Sequence, residues 1–207
     1  MDTLVKKTFI VYAESTPNPA SMKFVANHLL VQNGATAQYL SKAETKGSPL
    51  AAKLFEFPFV KAIFITANFV TVSKTDAVQW EDITLELRDF IRIYLNEGKS
   101  VVTEFPKTEM PVDNSFVTKK EVFTEHSAPS TELEVKIVEI LEQYIRPAVE
   151  SDGGSIAFKN FENGIVTVQL NGACSGCPSS SITLKAGIEG LLKRMLPEVK
   201  EVVAESM

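Results

Sequence analysis

The stretch Ser155-Ile-Ala-Phe-Lys-Asn-Phe-Glu-Asn-Gly-Ile-Val-Thr-Val-Gln-Leu170 alternates apolar and polar residues on both sides of Asn163-Gly164. Period-two alternation marks a half-buried strand, and Asn-Gly between two such runs is a strong signal for a tight hairpin. On its N-terminal side, Thr131 with Glu134 forms a capping-box signature. Leu133, Ile137, Ile140, Leu141, Tyr144 and Ile145 then recur on one helical face. Pro147 and Asp152-Gly-Gly154 end that helix. On the C-terminal side comes Asn171-Gly-Ala-Cys-Ser-Gly-Cys-Pro178, then a helix carrying Leu184, Ile188, Leu191, Leu192 and Met195 inward. Pro197 closes that helix, and Val199 to Val203 supply a third strand. The order is α-β-β-α-β, with a Cys-x-x-Cys loop before the second helix.

The first hundred residues read as a second α/β unit. Phe9 to Tyr12 has strand character and leads into the rigid turn Thr16-Pro-Asn-Pro19. Met22 to Val25 and Leu29 to Val31 flank Asn27-His28 as a hairpin, and Lys61 to Thr66 and Phe69 to Ser73 do the same around Ala67-Asn68. Ser48-Pro49 opens a short helix through Phe55. Trp80, Ile83, Leu87, Phe90, Ile91 and Tyr94 fall at helical spacing and belong to the core, and Gly98 ends that helix.

The fold class is therefore α+β with two small domains, 1–98 and 131–207, joined by a linker over 99–130. Pro106, Pro111 and Pro129 punctuate that linker, yet Val101, Val102, Phe105, Phe116 and Phe123 give it apolar residues able to dock on a domain.

Composition narrows the function. With 207 residues, 44% hydrophobic and 23% charged, the chain has an ordinary globular composition and needs no disulfide staples. A formal charge of −5 argues against nucleic-acid binding. No apolar run is long enough for a membrane span. The absence of a signal or transit segment points to a cytoplasmic, reducing setting, where two close cysteines signal metal binding or redox chemistry rather than a staple.

The chemistry concentrates at Cys174-Ser-Gly-Cys177. Gly172 and Gly176 permit a tight wrapping loop, and Pro178 suits the first position of a helix. The positive end of that helix favours thiolate, the form that ligates metal or attacks disulfides. Ser179, Ser180 and Ser181 add hydroxyl donors. Common iron–sulfur clusters take four thiolates, and the chain has two cysteines. One chain is thus half a site, which two chains meeting at this loop would complete. Thiol–disulfide exchange, zinc shared across a dimer and a structural cysteine pair remain alternatives on residues alone; His28 and His126 are distant from the motif and unpaired with it. Neither cysteine is expected in a core. Arg146 is read as either a neutraliser of cluster charge or an idle surface arginine, and Asp152-Gly-Gly154 chiefly as a helix-ending turn.

The stretch Ile145-Arg-Pro-Ala-Val149 with Asp152-Gly-Gly154 and Gly172-Ala-Cys-Ser-Gly-Cys-Pro-Ser-Ser180 strongly resembles the C-terminal domain of NifU, also called the Nfu domain. The likeness runs from about Leu133 to Glu205. Thr16-Pro-Asn-Pro19, Lys23-Phe24 and the strands around Ile63 to Val72 resemble, more loosely, the Nfu N-terminal domain. The resemblance implies a non-enzymatic carrier of a [4Fe–4S] cluster, with Cys174 and Cys177 as ligands and one cluster shared by a homodimer. It implies apo iron–sulfur proteins as recipients and an upstream assembly scaffold as donor. The cysteine-rich scaffold and ferredoxin-like regions of full-length NifU are not seen in this sequence, which favours late transfer over primary assembly. The cysteine-free first half is left to partner recognition.

Overall fold

The structure is a computed structural model describing residues 7–32, 34–105, 126–175 and 178–206. Most of the segment read as linker, including Pro106, Pro111, Phe116 and Phe123, lies outside the described residues, as do Gly176 and Cys177. The described elements fall into two compact units.

The first unit is a five-stranded antiparallel sheet with helices on one face. Its strands are β1 (Val11–Ser15), β2 (Ser21–Ala26), β3 (Thr36–Tyr39), β4 (Val60–Thr66) and β5 (Phe69–Lys74), arranged β1-β2-β5-β4-β3. Helices α1 (Pro49–Leu54) and α2 (Trp80–Asn96) bury Leu50, Leu54, Ile83, Leu87 and Ile91 against Phe24, Ile63, Ile65, Val70 and Val72. The alternation of those strand residues is what puts them on one face.

Several expectations hold here. Ser48 caps α1, its hydroxyl accepting from the Ala51 N–H at 3.1 Å. The β4–β5 hairpin turns through Ala67-Asn68, with Thr66 opposite Phe69. Gly98 takes a φ of +75° beyond α2, a conformation with no steric cost for glycine. The hairpin expected around Asn27-His28 does not form. β2 instead pairs with β1 across the Thr16–Pro19 turn and with β5 on its other side, while Leu29 to Val31 is not a strand. The preceding strand β1 and the distant β5 satisfy β2 on both edges, which leaves no edge of β2 for Leu29 to Val31 to pair with. Strand β3 has no clear alternation that would mark it in the sequence.

The start of the supposed linker is also structured. Val101 is buried in the first core, its carbonyl accepts from the Ser48 hydroxyl at 2.7 Å, and the Ser100 carbonyl accepts from Tyr94 at 2.8 Å. The Thr103 and Glu104 N–H groups both donate to the Gly47 carbonyl. Gly47 is required by this contact, because a Cβ there would lie 1.9 Å from the Glu104 carbonyl oxygen.

The second unit follows the expected α-β-β-α-β order. Helix α3 (Glu132–Ile140) continues through a π-turn, Leu141–Ile145, into α4 (Arg146–Ser151). Strands β6 (Gly154–Glu162) and β7 (Ile165–Gly172) form the Asn163-Gly164 hairpin, helix α5 (Pro178–Met195) crosses over, and β8 (Glu201–Ser206) pairs parallel to β7. Ile137, Leu141, Ile145 and Val149 pack with Ile156, Phe158, Val168, Ile188 and Val202 in one core. The capping box of Thr131 and Glu134 is complete.

Pro147 was expected to help stop the first helix, yet helical backbone runs on to Ser151. A proline inside a helix has no N–H to give and crowds the carbonyl four residues earlier. The chain avoids that clash by widening: the Arg146 N–H donates to the Leu141 carbonyl five residues back. The π-turn absorbs one extra residue and the helix resumes.

Candidate functional site

The motif loop grows from the end of β7. Gly172 pairs with Gly154 at the mouth of the hairpin and has a φ of +67°, which reverses the chain toward α5. The Ala173 N–H donates to the Gly153 carbonyl and the Ser175 N–H to the Gly172 carbonyl, both at 3.1 Å. The Asp152-Gly-Gly154 segment is therefore more than a helix-ending turn. It is the floor under Cys174, and a Cβ on Gly154 would come within 2.8 Å of the Cys174 sulfur and 2.5 Å of the Asn171 carbonyl. In the sequence the pair has only the pattern of a helix-ending turn, and nothing local signals that its second glycine makes room for the sulfur.

Cys174 itself overturns an expectation. It is 3% exposed and packs in the apolar core of the second unit rather than on an open loop. The reason is local. The short Gly172-Ala173 reversal brings the residue back over Gly154, where an apolar side chain of that size fills the space. Cys177 and the side chains of Ser179, Ser180 and Ser181 lie outside the described residues, although α5 begins directly after Cys177 at Pro178. Among the described residues, no three His, Cys, Asp or Glu side chains converge as a metal-binding group.

A charged cluster lies along the helix leading to the glycine pair. Arg146 is neither idle nor open to a partner: its side chain is 12% exposed and its Nη2 contacts Glu142 at 2.6 Å, with Nη1 3.6 Å from Glu150. His126, whose side chain is 2% exposed, contacts the same Glu142 carboxylate through Nε2. Its Nδ1 accepts from the Phe158 N–H at 2.7 Å. Nδ1 therefore carries no proton in this arrangement, and Nε2–H is the donor toward Glu142. No sequence signal at His126 announces this role, since a single histidine after a polar stretch has no pattern.

Burial pushes the Glu142 carboxyl up, but the hydrogen bond from His126 and the charge of Arg146 outweigh it and hold the group below the ordinary carboxylate range. A lowered folded-state value contributes stability above the unfolded value, and that contribution is lost as pH falls through the folded one. Glu142→Gln should accordingly flatten the acid limb of the unfolding curve below about pH 4.3, the unperturbed glutamate value. Chemical denaturation across pH 2.5–6 checks this; parallel acid limbs for both proteins would contradict it.

Comparison with known proteins bears on the whole arrangement. Residues 11–98 match the family described as scaffold protein Nfu/NifU N-terminal, and residues 137–203 match the NifU-like domain. The chain is 34% identical over 197 residues to the NFU1 iron-sulfur cluster scaffold homolog, mitochondrial, of Drosophila willistoni, covering 95% of this chain and 64% of that protein. It is 36% identical over 202 residues to NifU-like protein 4, mitochondrial, of Arabidopsis thaliana, covering 97% and 67% respectively. The chain thus spans about two thirds of the length of these relatives. A solution structure of a NifU-like protein from Saccharomyces cerevisiae aligns at a TM-score of 0.41 and 22% identity, covering 50% of this chain and 92% of that one. The expected cytoplasmic setting does not stand, because these curated relatives are named as mitochondrial proteins.

Proposed function

Because the chain belongs to the Nfu family of NifU-like iron–sulfur cluster scaffold proteins, we propose that it is a carrier that binds a [4Fe–4S] cluster between two protomers and delivers it to apo iron–sulfur proteins. The observation that carries this reading is the ligand count: the only two cysteines of the chain stand three residues apart, immediately before α5. Four thiolates complete such a cluster, so each chain supplies half through Cys174 and Cys177, and a two-fold pairing supplies the rest.

The donor set fits this cargo. Thiolates are the ligands that select iron–sulfur clusters, and positions next to a helix N-terminus favour that charge state. Among the described residues of the loop, backbone hydrogen bonds tie Ala173 to Gly153 and Ser175 to Gly172. A seam between two chains on such loops can open to release its cargo. The chain performs no bond-making step of its own and is read as a carrier rather than an enzyme. An assembly scaffold upstream supplies the cluster, the first unit recognises partners, and a mitochondrial setting follows from the relatives' names.

Transfer is the test. The protein, loaded anaerobically with iron and sulfide and freed of excess reagents, should activate an apo-enzyme that needs a [4Fe–4S] cluster faster than equal iron and sulfide in solution, and in the presence of a chelator. Activation no faster than free iron and sulfide, or loss of it on adding chelator, would contradict the proposal. Steady reduction of insulin disulfides by an iron-free protein would favour a thiol oxidoreductase instead.

A further inference from the structure

On the core face of the second unit's sheet, β6 presents Phe158, Ile156 and Gly154 in turn, and β7 presents Val168, Leu170 and Gly172. Their register makes three rungs: Phe158 opposite Val168, Ile156 opposite Leu170, and Gly154 opposite Gly172. Large buried side chains fill the first two rungs. The third has no side chain of its own, and Cys174 supplies one. The chain turns back at Gly172, and the sulfur stands against Gly154, so close that a Cβ there would lie 2.8 Å from it. Cys174 belongs to the same apolar core as the residues of the other two rungs.

This seat is incompatible with ligation. A cluster shared by two chains has to bond the sulfur from outside, and an iron atom does not reach a side chain enclosed in a close-packed core. The inference rests on the carrier reading for one point, that Cys174 is a ligand. Two positions of the sulfur then follow: on Gly154 when the protein carries no cluster, and turned outward when it does. Turning outward leaves the third rung bare, and an unfilled apolar space is unfavourable in a packed interior. The seat therefore pulls against the cluster for the same sulfur.

We propose that Gly154 is a positioning residue for release: by having no side chain it keeps open a seat in the core that competes with iron for the Cys174 sulfur, and so keeps the cluster transferable. In the transfer step the bond between iron and the Cys174 sulfur breaks, and both electrons stay on sulfur. The sulfur takes a proton from water and enters the seat as a neutral thiol, because an unpaired charge is not tolerated among apolar side chains. A cysteine thiol of the recipient gives its proton to water and bonds the vacated iron as a thiolate. One iron–sulfur bond replaces another, no electron changes hands, and the protons balance. The seat acts only through its differential effect on the two states, favouring the one without cargo.

Gly154→Ala separates the two positions. The added methyl meets the Asn171 carbonyl at 2.5 Å wherever the sulfur stands, so that clash burdens the protein with and without cargo alike. Its clash with the sulfur exists only when the sulfur is seated, and weakens the cluster-free state alone. The full-length protein, loaded anaerobically, should therefore lose its cluster to a chelator about tenfold more slowly as Gly154→Ala than as wild type. A merely structural role for Gly154 has the opposite sign, since a less stable fold sheds its cargo sooner. Ile188→Val, which trims a buried side chain of α5, is the reference and should lose the cluster no more slowly than wild type. Loss from Gly154→Ala at the wild-type rate or faster, or slowed loss from both variants, would overturn the proposal and leave the carrier reading in place. A wild type that takes up no cluster would remove both. Should Gly154→Ala fail to fold, N-ethylmaleimide labelling of Cys174 in the iron-free, full-length Cys177→Ser protein decides. Labelling at least about tenfold slower than in the same chain unfolded by urea supports the seat, as expected for a group reached only by local opening; a smaller difference overturns it.

Discussion

Replacing Cys174 by Ala is expected to abolish cluster loading and, at the same time, to lower the stability of the protein by about 1 kcal/mol, a typical cost for a single substitution. The two effects have separate causes. Loading fails because a two-fold site stripped of one ligand per chain retains two thiolates of the four a cluster takes. Stability falls because the sulfur is 3% exposed and fills part of the core over Gly154, so its removal leaves a small unfilled space. Cys177→Ala should abolish loading equally. Anaerobic reconstitution followed by visible absorbance and iron analysis reads the first effect, and denaturant titration reads the second. Normal iron content in Cys174→Ala would remove that residue from the ligand set.

The second large effect is expected at Gly154. Its φ is not in the left-handed region; the restriction is space. A methyl group there meets the Asn171 carbonyl at 2.5 Å and the Cys174 sulfur at 2.8 Å, and only the second of these can move by rotation. Gly154→Ala should therefore cost roughly 1–3 kcal/mol, the usual range for overpacking a close-packed site, and should turn the Cys174 sulfur out of its seat. Raised reactivity of Cys174 toward maleimide, accompanied by a lowered denaturation midpoint, is the expected pair of results. Wild-type reactivity and stability would show that the hairpin mouth has more room than the contact distances imply. By contrast, Gly187 and Gly190 of α5 face open space, and Ala at either should be neutral or stabilising because it raises helix propensity.

The second unit was legible because its signals are local. Asn163-Gly164 is a two-residue turn whose chemistry needs no partner elsewhere, and the Thr131–Glu134 box closes on itself within one helical turn. The helix spacing after Pro178 is equally self-contained. What escaped reading depends on distance in sequence. β2 is closed on its second side by β5, far along the chain, and not by its neighbour at Leu29, because strand pairing is decided by the whole sheet. The anchoring of Val101 by Ser48 joins residues 53 apart, and His126 meets Phe158 across 32; neither carries a pattern of its own. The cysteines were found at once by their spacing, yet the burial of Cys174 was not, since it follows from the bend that Gly172 imposes and from the gap left by Gly154. Pro147 reads as a stop because the rule against interior proline is strong; the π-turn is the less common way a helix satisfies it.

The central claim is that one chain carries half of a cluster site. Native mass spectrometry of the anaerobically reconstituted full-length protein tests it most directly. The predicted species is a dimer of two chains with one cluster of about four irons and four sulfides, falling to iron-free chains when the cluster is removed by chelator. A monomer holding a complete cluster, or a dimer that binds one metal ion and no sulfide, would contradict the account.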